Sequence, residues 1–221
     1  MNQVKLMIFD MDGLLFDTER IAFQALKKAM KNADYELTLD IYRKIIGAGK
    51  QEDEAILKDV YGEEFSFSLV LDGYLHESEK ILKTDGLRIM EGVTELLDIL
   101  DERKIKKCVA SSSSLETIQR YLTMTNLKDR FDFYMSGDEV ERGKPHPDIF
   151  LEACQRADES PEVAIVLEDS PNGLRAAYRA GIKCIVVPDL VVPDEEMENR
   201  AYRIVTSLVD VCHLFTASQS K

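Results

Sequence analysis

Five short apolar runs, Val4–Phe9, Ile105–Ala110, Phe131–Met135, Val163–Leu167 and Lys183–Val187, recur along this chain, each followed by a helical pattern. A weaker sixth lies at Tyr202–Val205. Strands that alternate with helices in this way build a parallel sheet with right-handed crossovers. The predicted class is α/β, a Rossmann-like parallel sheet core flanked by helices. One interval breaks the rhythm. Roughly 90 residues separate the first run from the second, where one crossover needs only about a dozen. That interval lacks strand signals and reads as helices over 18–32, 38–46, 50–61 and 66–83; Ala22, Ala25, Leu26, Ala29 and Met30 recur at helical spacing. The chain is therefore expected to carry an inserted all-helical cap domain, 16–87, in a core made of 1–15 and 88–221. The first proline is Pro145, so neither connection is stiffened by one, and hinge motion is permitted.

Composition narrows the partners. A formal charge of −13 argues against a nucleic-acid surface, which needs clustered Lys and Arg. A phosphorylated ligand would have to find a local positive site against that field. Cys108, Cys154, Cys184 and Cys212 show no metal or disulfide spacing and read as buried small hydrophobes. No apolar run approaches the ~18 residues of a membrane span, and no leader pattern precedes the first strand. A soluble, cytoplasmic protein is expected, a monomer with a homodimer as the alternative.

Four sites carry chemistry. Asp10 and Asp12 stand just beyond the first apolar run. Two carboxylates this close repel, and burial raises the cost unless a cation is present. Alone, they could be an acidic turn around Gly13. Ser111 opens Ser111-Ser112-Ser113-Ser114 after the second strand. A serine run there is a helix cap, or a hydroxyl and backbone N–H cradle for phosphate. Lys144 lies in Gly143-Lys144-Pro145-His146-Pro147-Asp148, a loop constrained by two prolines, with Pro147 expected at the first helical position. Glu168 and Asp169 follow the fourth run, with Ser170 as cap and Pro171 as first helical residue, so the two acids are surplus to capping.

All four fall at the C-terminal ends of strands, the edge where open parallel sheets form ligand crevices. Their chemistry follows. Asp10, Asp169 and Glu168 supply oxygens to an octahedral Mg²⁺. A remaining Asp10 oxygen attacks phosphorus to make an aspartyl-phosphate. Ser111 and Lys144 neutralise the equatorial oxygens. Asp12 protonates the leaving alkoxide and then deprotonates water.

These motifs resemble those of the haloacid dehalogenase superfamily: Asp10-Met11-Asp12-Gly13 with Asp17-Thr18-Glu19, then Val109-Ala110-Ser111-Ser112-Ser113, Gly143-Lys144-Pro145-His146-Pro147-Asp148, and Leu167-Glu168-Asp169-Ser170-Pro171-Asn172-Gly173. The most similar subgroup contains sugar-phosphate phosphatases and β-phosphoglucomutases with a small helical cap. The resemblance implies that Asp10 is the nucleophile, that Asp12 is the acid/base, and that Asp12 also binds metal through its backbone carbonyl. True dehalogenases lack an aspartate at the place of Asp12, as do phosphonate hydrolases, so phosphate esters are favoured. Gly47-Ala48-Gly49-Lys50-Gln51-Glu52-Asp53 resembles the subgroup's specificity loop, which makes Gly47 and Lys50, with Ser112, candidate substrate contacts. Lys50 near a helix N-terminus is opposed by the dipole, consistent with service to a ligand. The mutases carry a cap histidine where this chain has Ala22. The expected function is a Mg²⁺-dependent phosphatase of a small phosphorylated metabolite, a sugar phosphate. The alternatives are a β-phosphoglucomutase-type isomerase and a non-enzymatic phospho-acceptor switch; the insert and Asp12 argue against the last.

Overall fold

The structure is a computed structural model describing residues 3–46 and 50–216, with residues 50 and 51 described by their backbone alone. The chain forms two compact units. One comprises the chain up to Phe16 together with everything from Arg88 onward; the other is Asp17–Leu87.

The first unit holds strands β1 (Leu6–Phe9), β2 (Lys106–Ser111), β3 (Phe133–Ser136), β4 (Ala164–Glu168), β5 (Lys183–Val186) and β6 (Arg203–Ile204). Their order is β3-β2-β1-β4-β5-β6 and every pairing is parallel. The central strand β1 is buried at all four positions, which explains its unbroken apolar run: a strand covered on both faces needs no polar alternation. β6 is the weak sixth run and is exposed at both residues.

One helical layer is α5 (Val93–Glu102) with α10 (Leu208–Thr216). Gly92 allows their close approach: its φ is +87°, and a Cβ there would sit 2.4 Å from the Val209 nitrogen. Arg103 donates to the Phe215 carbonyl at 2.8 Å across the same seam. The opposite layer contains α7 (Asp148–Ala157) and α8 (Pro171–Arg179), whose Phe150, Ala153, Ala176 and Ala177 bury against Ile8, Cys108 and Val166. α6 (Leu115–Met124) follows β2, and α9 (Glu195–Arg200) precedes β6. Pro147 is the N-cap of α7 rather than its first residue. The four cysteines are free and buried.

The second unit holds α1 (Thr18–Asn32), α2 (Leu39–Ile45), α3 (Lys50–Tyr61) and α4 (Phe67–Asp85). α1 packs along α4, where Gly73 gives room: an added Cβ would come 3.1 Å from that of Ala29. The pair is tied by Lys28 and Glu77 at 2.6 Å. Tyr35, Tyr61 and Phe65 form a ring cluster with centroids 5.0–5.5 Å apart. A cavity of about 210 Å³ opens within this unit, lined by Glu19, Ala22, Tyr42, Asp53, Leu57 and Tyr74 among others. Among the described residues, no helix is long and apolar enough to cross a membrane.

Candidate active site

The C-terminal edge of the sheet carries the expected residues. Asp10 directly follows β1, and its N–H donates to the Leu167 carbonyl at 3.0 Å, extending the ladder to β4. Asp12 lies two residues on, where Gly13 (φ +78°) turns the chain and Phe16 bridges back to Asp12. Ser111 ends β2, and Glu168 ends β4 rather than following it, with Asp169 next. Asp10, Ser111, Glu168 and Asp169 are all buried.

Lys144 connects three of these strand ends. Its ammonium donates to Asp10 Oδ1 at 2.5 Å, Glu168 Oε1 at 2.8 Å and the Ala110 carbonyl at 3.0 Å. Those three bonds use all its protons. The nitrogen also lies 5.0 Å from the centre of the Phe150 ring. Burial works against its charge, but Asp10 and Glu168 outweigh that and hold its pKa above the usual lysine range.

Glu168 is committed twice. Beyond Lys144, its Oε2 accepts from the Asp169 N–H at 2.9 Å, the Ser170 N–H at 2.8 Å and the Ser170 hydroxyl at 2.9 Å. Gly173 makes room for it: a Cβ at that position would lie 1.6 Å from Glu168 Oε1. The motif glycine is therefore small because the glutamate fills the space a side chain would take. Sequence reading identified Gly173 as part of a motif but attached no role to it.

The serine run divides its labour. Ser114 is the cap of α6, accepting from the Thr117 N–H at 3.3 Å. Capping is thus done without Ser111, Ser112 or Ser113. The Ser111 hydroxyl faces Asp12 Oδ2 at 3.4 Å, and the Ser113 hydroxyl donates to the same oxygen at 2.9 Å. Ser112 is exposed. Gly47 and the Lys50 side chain lie outside the described residues.

Burial pushes the Asp10 carboxyl up to about 7 despite Lys144, because Glu168 and Asp12 add to the negative field. One ammonium therefore faces more carboxylate than it balances, and a divalent cation would correct the imbalance. Among the described residues no three metal-ligating side chains converge on one point. Mg²⁺ is commonly held by one or two carboxylates with water and substrate phosphate rather than by a protein cage. Asp10 and Asp169, buried at the ends of neighbouring strands, fit such a pair.

Comparison with known proteins identifies the family. Residues 7–187 match the model of the haloacid dehalogenase-like hydrolases. A phosphorylated carbohydrates phosphatase of Thermotoga maritima is 35% identical over 179 residues, covering 80% of this chain and 82% of its own. A (DL)-glycerol-3-phosphatase of Arabidopsis thaliana is 32% identical, covering 92% of this chain and 87% of its own. The crystal structure of CbbY from Rhodobacter sphaeroides in complex with phosphate superposes with a TM-score of 0.78 at 26% identity, covering 94% of this chain and 96% of that one. By its four motifs and by this match across most of its length, the chain belongs to the haloacid dehalogenase-like hydrolase family.

Proposed function

We propose that this protein is a Mg²⁺-dependent phosphatase acting on a small phosphorylated metabolite, a sugar phosphate, through an aspartyl-phosphate on Asp10. The observation that carries the reading is the buried Asp10–Lys144–Glu168 chain of bonds beside the Asp12–serine cluster. It supplies a nucleophile, a fixed cation and a proton carrier on one sheet edge.

Lys144 anchors Asp10 through Oδ1, which fixes the carboxylate so that its second oxygen is presented to phosphorus. The same ammonium offsets charge as it builds on the phosphoryl oxygens. Ser111, at the end of β2, offers a hydroxyl donor to those oxygens. Asp12 gives its proton to the departing alkoxide and then takes one from the attacking water. When bound, Mg²⁺ supplies charge neutralisation at the phosphate, with Asp10 and Asp169 as its holders and the Asp12 backbone carbonyl as a third donor by family resemblance. Glu168, whose two oxygens already accept four hydrogen bonds, is assigned to hold Lys144 rather than metal.

Where the mutases carry a cap histidine this chain has Ala22, which brings no titratable group, and that favours hydrolysis over mutase chemistry. Phosphate release from a panel of phosphorylated metabolites with Mg²⁺ tests the reading. Asp10→Asn should abolish turnover, and Lys50→Ala should shift preference among substrates. Full activity in Asp10→Asn would refute the covalent route. Conversion of glucose 1-phosphate to glucose 6-phosphate without free phosphate would replace the phosphatase with a mutase.

A further inference from the structure

We infer that Ser113 is a positioning residue for Asp12, holding its Oδ2 so that the other carboxylate oxygen, Oδ1, is the one that exchanges the proton with the leaving group. This rests on Asp12 being the proton carrier of the proposed function.

Ser113 is not needed for the tasks a serine in this place ordinarily performs. The helix cap is Ser114. Ser113 instead gives its single hydroxyl proton to Asp12 Oδ2 at 2.9 Å, across 101 positions of sequence. Its own N–H donates to Ser111 Oγ at 3.0 Å, which turns the Ser111 hydroxyl toward the same Oδ2. Two hydroxyls therefore address one oxygen of Asp12.

The turn that presents them is clamped from β3. Ser111 and Ser136 are register partners in the sheet, and the fully buried Ser136 donates its hydroxyl to the Ser113 carbonyl at 2.9 Å. Ser136 is fixed in turn by Glu139, whose side chain accepts from the Ser136 N–H at 2.8 Å. Gly137 lets the serine turn press close: a Cβ there would come 2.9 Å from the Ser112 carbonyl oxygen. Asp12 is anchored on its side by the bridge to Phe16. With both backbones held, the Ser113 bond chooses the carboxylate's orientation, since an aspartate has only two side-chain torsions to set.

The chemistry needs that choice. As the Asp10–phosphorus bond forms and the bond from phosphorus to the ester oxygen breaks, the proton on Asp12 passes to that oxygen, and Asp12 is left as a carboxylate. A proton held at the wrong angle delays this only for leaving groups that require it.

The test compares two esters, p-nitrophenyl phosphate, whose leaving group departs without a proton, and benzyl phosphate, whose alkoxide needs one. Ser113→Ala should lower benzyl phosphate turnover by about tenfold relative to p-nitrophenyl phosphate. Ser113→Thr, which keeps the hydroxyl, should restore the ratio. In an Asp12→Asn background, Ser113→Ala should no longer change the ratio. Equal losses on both esters, a rise on benzyl phosphate, or wild-type protein that cleaves only p-nitrophenyl phosphate would overturn the inference. Retained turnover in Asp10→Asn would instead remove the covalent reading beneath it.

Discussion

Two carboxyls, one in each unit, are both pushed up to about 7 chiefly by burial, and they differ in what stands against the shift. Asp10 in the α/β unit is buried beside other acids, with the Lys144 ammonium opposing the shift. Asp53 in the helical unit is raised by partial burial and by its neighbour Glu52, and its Oδ1 has no hydrogen-bond partner among the described residues. The first belongs to a network organised around one ammonium, that of Lys144. The second lines a cavity with apolar walls. Asp10 is thus held against a fixed cation, whereas Asp53 Oδ1, at the cavity, stands without a hydrogen-bond partner among the described residues.

Removing the counterpart should break the comparison most severely. Lys144→Ala would leave Asp10 and Glu168 buried without their cation, and we expect a loss of about 3 kcal/mol in unfolding free energy by urea denaturation. Turnover of p-nitrophenyl phosphate should fall by at least about 10²-fold in the same variant. A stable, active Lys144→Ala protein would mean that the ion network does not organise the site.

A smaller disturbance reaches the same network from behind. In Gly173→Ala the new methyl would occupy the place of the Glu168 carboxyl, so Glu168 must move and its bonds to Lys144 and Ser170 must lengthen. Overpacking of this kind costs about 2 kcal/mol. Activity should fall together with stability, whereas Gly143→Ala, with open space around it, should change neither.

Much of this was legible in the residues. The four helices of the second unit sit within two residues of the spans read from the sequence, because a 3.6-residue repeat is a local property of the chain. Asp10 and Asp169 stand at strand ends among turn signals, and Lys144 stands in a loop with two prolines, eight residues beyond the end of β3. The use made of each group was not legible. Glu168 reads as one of two metal acids, yet it is taken up by Lys144, which lies 24 positions away, and by the backbone that follows it. Ser113 reads as one serine in a cap, and its bond to Asp12 depends on β2 lying beside β1. Gly137 and Gly173 had a sequence signal only in being glycines in or near the motifs; Gly137 makes room for Ser112 of another turn, and Gly173 for the Glu168 side chain of its own. Side-chain direction and contacts between distant segments are set by packing, which periodicity does not encode.

The smallest effect should come from the carboxyl that has no counterpart. With its pKa raised from 3.8 to about 7, folded Asp53 binds a proton that the unfolded chain has already released between about pH 4 and pH 7. Stability contributed by this group therefore falls as pH rises through that window, and the full penalty is present above about pH 7. Asn keeps the shape without the charge. Asp53→Asn should thus be more stable than the wild type at pH 8, by about 1 kcal/mol once solvent screening of this half-exposed group is allowed for, and no more stable at pH 4. The difference between the two proteins' urea midpoints at each pH isolates Asp53 from every other group that titrates. A pH-independent difference would show that Asp53 is compensated in solution after all, and the contrast between the two units would then be one of packing alone.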